Sequence, residues 1–178
     1  MYKIITISRE FGSKGRTIGK KLAEKLGYNF YDSSIVDKVA IESGYHKDFI
    51  KDHAEYASSS HSFVFSFYRT NAAIGNGTSI YDEIFIAQQK VILDIASKEN
   101  AVIVGRCADY ILKDYNPFKI FVYASLDSKI NRCMSRTDEY EHYSLRKLKK
   151  LIKQVDKDRA RYYDFVASAK WGDKSNYD

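Results

Sequence analysis

Short apolar runs alternate with longer amphipathic stretches along most of this chain. Four runs are rich in β-branched and aromatic residues and predict buried strands: residues 3–8, 28–31, 101–104 and 118–124. Helical periodicity predicts helices at residues 17–26, 81–99, 127–136 and 144–163. Because strands and helices alternate, we expect βαβ units in a single α/β domain with a largely parallel sheet.

The periodic apolar positions also predict which helix faces are buried. In the first helix Ile18, Leu22 and Leu26 recur every four residues, and Gly27 is suited to end the helix. The corresponding positions of two later helices are Ile84, Ala87, Val91 and Ile95, and Leu145, Leu148, Ile152 and Val155. Each of these sets is expected to face the core.

The turn EFGSKGRT, between the first strand and the first helix, carries the strongest chemical signal. Gly12 and Gly15 allow backbone N–H groups to converge on an anion at the helix N-terminus. In the phosphate-loop pattern G-x-x-x-x-G-K-[ST], Gly15 takes the second glycine and Thr17 the hydroxyl residue. Arg16 stands in the lysine position, and Glu10 replaces the first glycine. The turn predicts phosphate binding, since Arg can clamp phosphate oxygens; the alternative is a basic turn without a ligand.

A second candidate for ligand binding follows the strand at 101–104. Sheets of this type bind ligands beyond the carboxyl ends of their strands, so Arg106 is expected beside the first turn. This position favours a functional role for Arg106 over a purely structural one. Arg132 and Arg136 share a helix face through their i, i+4 spacing, but a solvated helix surface explains them equally well. Asp32, after the second strand, could hold Mg²⁺ through water or cap the next helix.

Composition narrows the class of partner. The net charge of +6 fits an anionic ligand such as a nucleotide. A nucleic acid is disfavoured, because the tyrosines and phenylalanines form neither an RNA-recognition nor a cold-shock pattern. Cys107 and Cys133 form no CxxC motif, and no apolar run is long enough to cross a bilayer. We therefore expect a cytoplasmic protein that does not bind membranes; the oligomeric state is not predicted.

Four segments in the same order resemble the cytidylate kinase-like family: residues 7–32, 102–112 (VIVGRCADYIL), 156–163 (DKDRARYY) and 171–178 (WGDKSNYD). The resemblance implies the P-loop nucleoside monophosphate kinase fold, a three-layer α/β/α arrangement around a five-stranded parallel sheet. Residues 1–178 would form one domain. Its core would comprise residues 1–44 and 81–178, its helical acceptor-binding insertion about residues 45–80, and its mobile lid about residues 137–143. In the family the last segment leads into a final strand, which this sequence either lacks or does not include.

The same resemblance implies an ATP- and Mg²⁺-dependent phosphotransferase that acts on CMP, dCMP or a similar small phosphorylated acceptor. The donor phosphates would be bound by Gly12, Ser13, Lys14, Gly15, Arg16 and Thr17, with Mg²⁺ near Thr17. The acceptor would be bound by Asp32, Arg106, Asp158 and Arg161. The catalytic cations would be Arg16, Arg132, Arg136 and Arg161. Two alternatives stay open: a kinase of a different small acceptor, and a non-catalytic nucleotide-binding protein of the same fold.

Overall fold

The computed structural model describes residues 3–33, 80–135, 140 and 142–178. Its strands are β1 (Ile4–Arg9), β2 (Asn29–Asp32), β3 (Ala101–Val104) and β4 (Phe118–Val122). Its helices are α1 (Gly15–Leu26), α2 (Ile80–Lys98), α3 (Ala108–Ile111), α4 (Leu126–Met134) and α5 (Leu145–Ala167), with 3-10 turns at Lys113–Tyr115 and Lys174–Asn176. Nearly all of the insertion expected at residues 45–80, most of the lid expected at 137–143, and Arg136 lie outside the described residues.

The four strands form one parallel sheet in the order β2-β3-β1-β4. β3 is central and buried along its whole length, as its uninterrupted apolar sequence predicts. Val104 at its end is paired with Ile7 of β1 on one side and with Asp32 of β2 on the other. The carboxyl ends of three strands therefore meet at one edge, and this confirms the α/β class and parallel sheet expected from the sequence. Four of the five expected strands are present in the described residues.

The buried face of α1 differs from the predicted one. Ile18 and Leu26 are 43% and 45% exposed, whereas Gly15, Gly19 and Ala23 are buried. A Cβ atom at Gly19 would lie 2.9 Å from Cγ2 of Val104, so only a residue without a side chain lets α1 approach the sheet this closely. Because close packing here selects small residues over hydrophobic ones, the prediction was wrong for Ile18 and Leu26, whereas Leu22 is half-buried.

The other two predicted faces are largely confirmed. Ala87, Val91 and Ile95 of α2 are buried, as are the α5 residues Leu148, Ile152 and Val155. The prediction for Leu145 was wrong: it is 55% exposed. This residue begins α5 directly after the cap residue Ser144, whose hydroxyl accepts a hydrogen bond from Lys147 N at 3.3 Å. Among the described helices, none combines the length and the apolarity needed to cross a bilayer.

The segment after α5 returns to β4. The Phe121 ring lies 5.1 Å, between ring centroids, from both Trp171 and Tyr177. Asp178 N donates to the carbonyl oxygen of Lys119 at 2.9 Å, and Lys119 N donates to the Asp178 carboxylate at 2.9 Å. The WGDKSNYD segment is thereby fixed beside β4.

Candidate active site

The turn between β1 and α1 has the backbone shape of an anion site. Gly12 and Lys14 adopt left-handed conformations, with φ of 76° and 70°. Ser13 donates to the carbonyl oxygen of Glu10 through both its amide, at 3.3 Å, and its hydroxyl, at 2.8 Å. Helix α1 begins at Gly15 without a side-chain cap and without an acidic residue in its first turn. Its positive end is therefore left for an external anion.

Glu10 has a structural role that accounts for its departure from the standard loop. Its carboxylate accepts a hydrogen bond from Ala124 N at 3.1 Å and forms an ion pair with Lys129 Nζ at 2.7 Å. The Lys129 side chain, on α4, is only 8% exposed. Glu10 thus ties the start of the loop to the end of β4 and to α4.

Asp156 on α5 completes this buried network. Its Oδ1 accepts a hydrogen bond from Phe11 N at 2.6 Å, and its Oδ2 lies 3.1 Å from Lys129 Nζ. Burial lowers the pKa of Lys129, but its hydrogen bonds to Glu10 and Asp156 outweigh burial, so the pKa is raised and the ammonium stays charged. We name Glu10, Lys129 and Asp156 the loop clamp. Neither Lys129 nor Asp156 follows from the sequence pattern, where they are two of many charged helix positions.

Arg9, the last residue of β1, is a second site residue that the sequence pattern did not identify. Its guanidinium lies against Gly105, where a Cβ atom would be 2.1 Å from Nη1. Arg159 Nη1 donates to the carbonyl oxygen of Arg9 at 3.0 Å. Burial, together with repulsion from Arg159 and Arg106, holds the pKa of Arg9 well below its usual value. Burial is also the main reason that the pKa of Arg159 falls to about 10.

These three residues form what we call the arginine cluster: Arg9 from β1, Arg106 after β3 and Arg159 from α5. They converge at the carboxyl edge of the sheet, beside the loop. Nearby carboxylates offset part of their mutual repulsion: Asp156 Oδ1 lies 3.7 Å from Arg159 Nη1, and both Asp32 and Asp156 attract Arg9. The cluster therefore concentrates positive charge next to the loop.

Arg106 lies in an unusual turn that packs against α5. Gly105, Arg106 and Cys107 all have positive φ, at 85°, 57° and 53°. Two residues further on, the buried Asp109 carboxylate accepts a hydrogen bond from Tyr163 Oη of α5 at 2.7 Å. Burial raises the pKa of Asp109, and the Tyr163 hydroxyl opposes that rise. The Asp109–Tyr163 contact thus helps to hold the turn that carries Arg106.

Two pairs of residues singled out in the sequence are brought together around the N-terminus of α1. Arg16 forms an ion pair with Asp32, whose side chain is 4% exposed, whereas that of Arg16 is 67% exposed. Arg132 of α4 donates from Nη2 to the Thr17 hydroxyl at 3.1 Å. The end of β2, the loop and α4 are therefore in contact at this point.

Asp158 and Arg161, the two residues of α5 that were expected to bind the acceptor, are not part of the arginine cluster, to which α5 contributes Arg159. Asp158 is half-buried and accepts a hydrogen bond from Gln154 Nε2 at 2.8 Å, within the same helix. Arg161 is exposed. In the DKDRAR segment, Asp156 and Arg159 are the residues that contact the loop, and the assignment of Asp158 and Arg161 to the acceptor stays a prediction.

The sequence profile of the cytidylate kinase-like family matches residues 4–178. The chain belongs to this family. A solved structure of an uncharacterised protein from Eubacterium ventriosum is 32% identical, with a TM-score of 0.70, and the match covers 99% of this chain and 84% of that one. A shikimate kinase from Bacteroides thetaiotaomicron is 20% identical, with a TM-score of 0.52, over 98% of this chain and 90% of its own. No curated protein matches the sequence.

Membership of this family, together with a fold shared with a P-loop kinase, supports a phosphotransferase activity. Kinases of this kind use Mg²⁺, which prefers oxygen ligands and keeps several waters. The Thr17 hydroxyl and the Asp32 carboxylate are oxygen groups of that type and would be the residues to hold the ion, although here they contact Arg132 and Arg16 respectively. When bound with ATP, Mg²⁺ neutralises charge on the phosphate oxygens. Within the described residues, no group of three or more His, Cys, Asp or Glu side chains forms a separate metal site.

Proposed function

We propose that this protein is an ATP-dependent kinase that transfers the γ-phosphoryl group to a small acceptor carrying an anionic group, with CMP and dCMP as the first candidates. The observation that carries the proposal is the placing of a phosphate loop beside a cluster of three arginines at one sheet edge. A donor and an acceptor that both carry phosphate need two neighbouring anion sites. The loop and the cluster meet that requirement.

The donor phosphates are assigned to the loop residues Gly12, Ser13, Lys14, Gly15, Arg16 and Thr17. Their backbone N–H groups supply hydrogen-bond donors at the positive end of α1. Arg132 contacts Thr17 and so adds a guanidinium from α4 on the other side of the loop. Arg16 forms an ion pair with Asp32 at the end of β2. Arg136 follows α4 in sequence and is assigned the same charge-neutralising role as Arg132.

The acceptor is assigned to Arg106, Asp32, Asp158 and Arg161. Arg106 leaves the central strand at the ligand edge, and its planar fork can bind two oxygens of one phosphate. A carboxylate would be bound by the same geometry, so the anion of the acceptor is a matter for direct measurement. Asp32 is buried beside this edge and could accept a hydrogen bond from a ribose or sugar hydroxyl.

The chemistry asked of these residues is positioning and charge stabilisation. Phosphoryl transfer needs donor and acceptor in line, cations on the transferring group and the exclusion of water. Residues 137–143 are assigned the lid that excludes water. Tyr140, in the described part of that segment, is buried and packs edge-to-face on Phe11 of the loop, with ring centroids 6.3 Å apart.

A coupled ADP-release assay tests the proposal with ATP and a panel of acceptors: CMP, dCMP, UMP, AMP and shikimate. Acceptor-dependent ADP formation with one or more monophosphates is expected, over the background measured without acceptor. Turnover with shikimate but with none of the monophosphates would show that the anionic group of the acceptor is a carboxylate and not a phosphate. ATP binding by calorimetry without turnover on any acceptor would favour the non-catalytic alternative. That alternative draws on one observation, the pairing of Arg16, in the loop's lysine position, with Asp32.

A further inference from the structure

The standard phosphate loop supplies one cation to the donor phosphates from the residue after its second glycine. In this chain Arg16 holds that position, but its guanidinium is paired with Asp32 and its side chain is 67% exposed. The interior of the site, between the loop and the turn after β3, is occupied by a different arginine. That residue is Arg9, which precedes the loop.

We propose that Arg9 is a catalytic residue that contacts the terminal phosphate of the donor and performs the task of the loop lysine. This inference rests on the proposed kinase function. The phosphate-loop pattern itself begins one position later, at Glu10 in this chain. The assignment comes from the path of the side chain and from the charges around it.

The Arg9 side chain runs between two glycines that are distant in sequence. A Cβ atom at Gly15 would lie 2.5 Å from Cβ and 2.8 Å from Cγ of Arg9. A Cβ atom at Gly105 would lie 2.1 Å from Nη1 and 2.9 Å from the guanidinium carbon. Both positions must therefore lack a side chain for the guanidinium to stay where it is. The space beside Gly15, where a side chain would start, is filled by Arg9 instead.

The charges around Arg9 point to an anionic ligand. Its nearest charged neighbours include Arg159 and Arg106, which repel it, while Asp32 and Asp156 attract it more weakly. Among the described residues, Arg9 forms no ion pair with any carboxylate. A guanidinium held between like charges without an ion pair is stabilised by binding an anion such as phosphate.

The position of Arg9 favours the transferring phosphate over more distant groups. Its backbone directly precedes the loop, and its guanidinium lies at Gly105, next to Arg106. It is thus located between the donor and acceptor regions assigned above. A cation at this point stabilises the charge that develops on the transferring group in the transition state.

The test transfers the positive charge from position 9 to position 15, inside the phosphate loop. We expect Arg9→Ala to lower kcat by about 100-fold or more. Gly15→Lys alone should also lower kcat, because its side chain would collide with that of Arg9. In the double variant Arg9→Gly/Gly15→Lys, which also removes the Arg9 Cβ that would otherwise lie 2.5 Å from the new Cβ, the lysine extends through the space that Arg9 leaves and should recover at least about tenfold of the lost kcat. Gly15 is not among the glycines with positive φ, so a lysine there adds no backbone strain. Arg146→Ala, which removes an exposed arginine of α5, is the matched control.

Rescue in the double variant cannot result from a merely structural role, so it is the decisive readout. The proposal is overturned if Arg9→Ala keeps kcat within about threefold of the wild type. It is also overturned if the double variant has a near-wild-type thermal midpoint and no more activity than Arg9→Ala. If Arg9→Ala does not fold, Arg9→Met, which keeps the apolar stem, takes its place in the single-variant comparison with the wild type. The wild type decides the proposed function separately: without ATP binding or turnover there, the kinase assignment fails before any variant is compared.

Discussion

Arg106 shows most directly how one residue links backbone strain to the proposed chemistry. Arg106 and Cys107 both adopt left-handed conformations, which cost about 1–3 kcal/mol for each non-glycine residue. This strained turn is stabilised by the burial of Cys107 and by the hydrogen bond that Tyr163 Oη donates to the Asp109 carboxylate. Strained backbone at a ligand edge is typical of residues that must present a side chain in one fixed direction.

The first prediction concerns the guanidinium of Arg106. In Arg106→Lys the backbone strain is unchanged, since neither residue is glycine, and the charge is kept, but the planar fork is lost. We expect the acceptor KM to rise about tenfold or more, or kcat to fall to that extent, with unchanged ATP affinity. Steady-state kinetics and calorimetry on one preparation give these values, with Arg146→Lys as control. A lower thermal midpoint with normal kinetics would show that Arg106 is structural.

The second prediction concerns the charge of Asp109. Burial raises the pKa of this carboxyl in the folded state, so the folded protein binds a proton at higher pH than the unfolded chain does. Stability therefore falls as pH rises from the unfolded value, about 4, through the folded pKa. Asp109→Asn removes this penalty and leaves an acceptor for Tyr163 Oη. We expect a higher thermal midpoint than the wild type at pH 7.5.

The pH series supplies the control for Asp109. The difference in midpoint should shrink as the pH falls toward 4, because the wild-type carboxyl is then protonated in the folded state. Asp94→Asn, at an exposed i, i+4 pair with Lys98, should change the midpoint little at any pH. A lower midpoint for Asp109→Asn throughout the series would mean that the charged carboxylate stabilises the turn.

At the scale of secondary-structure elements, the loop clamp joins α4 and α5 to the phosphate loop. Lys129 lies between two carboxylates, at 2.7 Å from Glu10 and 3.1 Å from Asp156. A Cβ atom at Gly12 would be 3.1 Å from Cβ of Lys129, so α4 also lies directly against the loop backbone. Any movement of α4, which leads into the expected lid, is therefore mechanically linked to the loop.

The third prediction tests this link. Lys129→Met keeps most of the side-chain volume but leaves the half-buried Glu10 without its cation and Asp156 with Arg159 alone, at 3.7 Å. The cost is expected to lie below the range of about 3–5 kcal/mol that is typical of fully buried pairs. We expect lower stability in denaturant unfolding and weaker ATP binding, since the loop loses its attachment. Adding Glu10→Gln should restore part of the stability by removing the unpaired charge. Lys153→Met, at an exposed position of α5, is the control. Unchanged ATP affinity in folded Lys129→Met would separate the clamp from the loop's function.

These elements also show what the sequence can and cannot predict. β3 was predicted with correct bounds, because an uninterrupted apolar run between polar segments fits only a central strand. The buried face of α1 was missed, because Gly15 and Gly19 carry no hydrophobic signal. Arg9 and Lys129 were missed for a related reason. Their partners are far away in sequence, and only the folded chain shows that these charges are buried.

At the scale of the whole molecule, the fold concentrates positive charge at one edge of the sheet. The net charge of +6 is modest, but the arginine cluster, Arg132 and the N-terminus of α1 all lie near the carboxyl ends of the strands. A positively charged edge attracts anionic substrates and raises their local concentration. The account therefore requires that two anions, the donor and the acceptor, are brought together at this one edge.

The fourth prediction tests that requirement directly, through the transfer itself. The wild-type protein is incubated with Mg²⁺ and ATP labelled in its γ-phosphate, with and without CMP or dCMP, and the products are separated. We predict that the label is found in the corresponding nucleoside diphosphate, and that little is released as inorganic phosphate when the acceptor is left out. Label that stays in ATP, or that is released as inorganic phosphate at the same rate with every acceptor tested, would contradict the account.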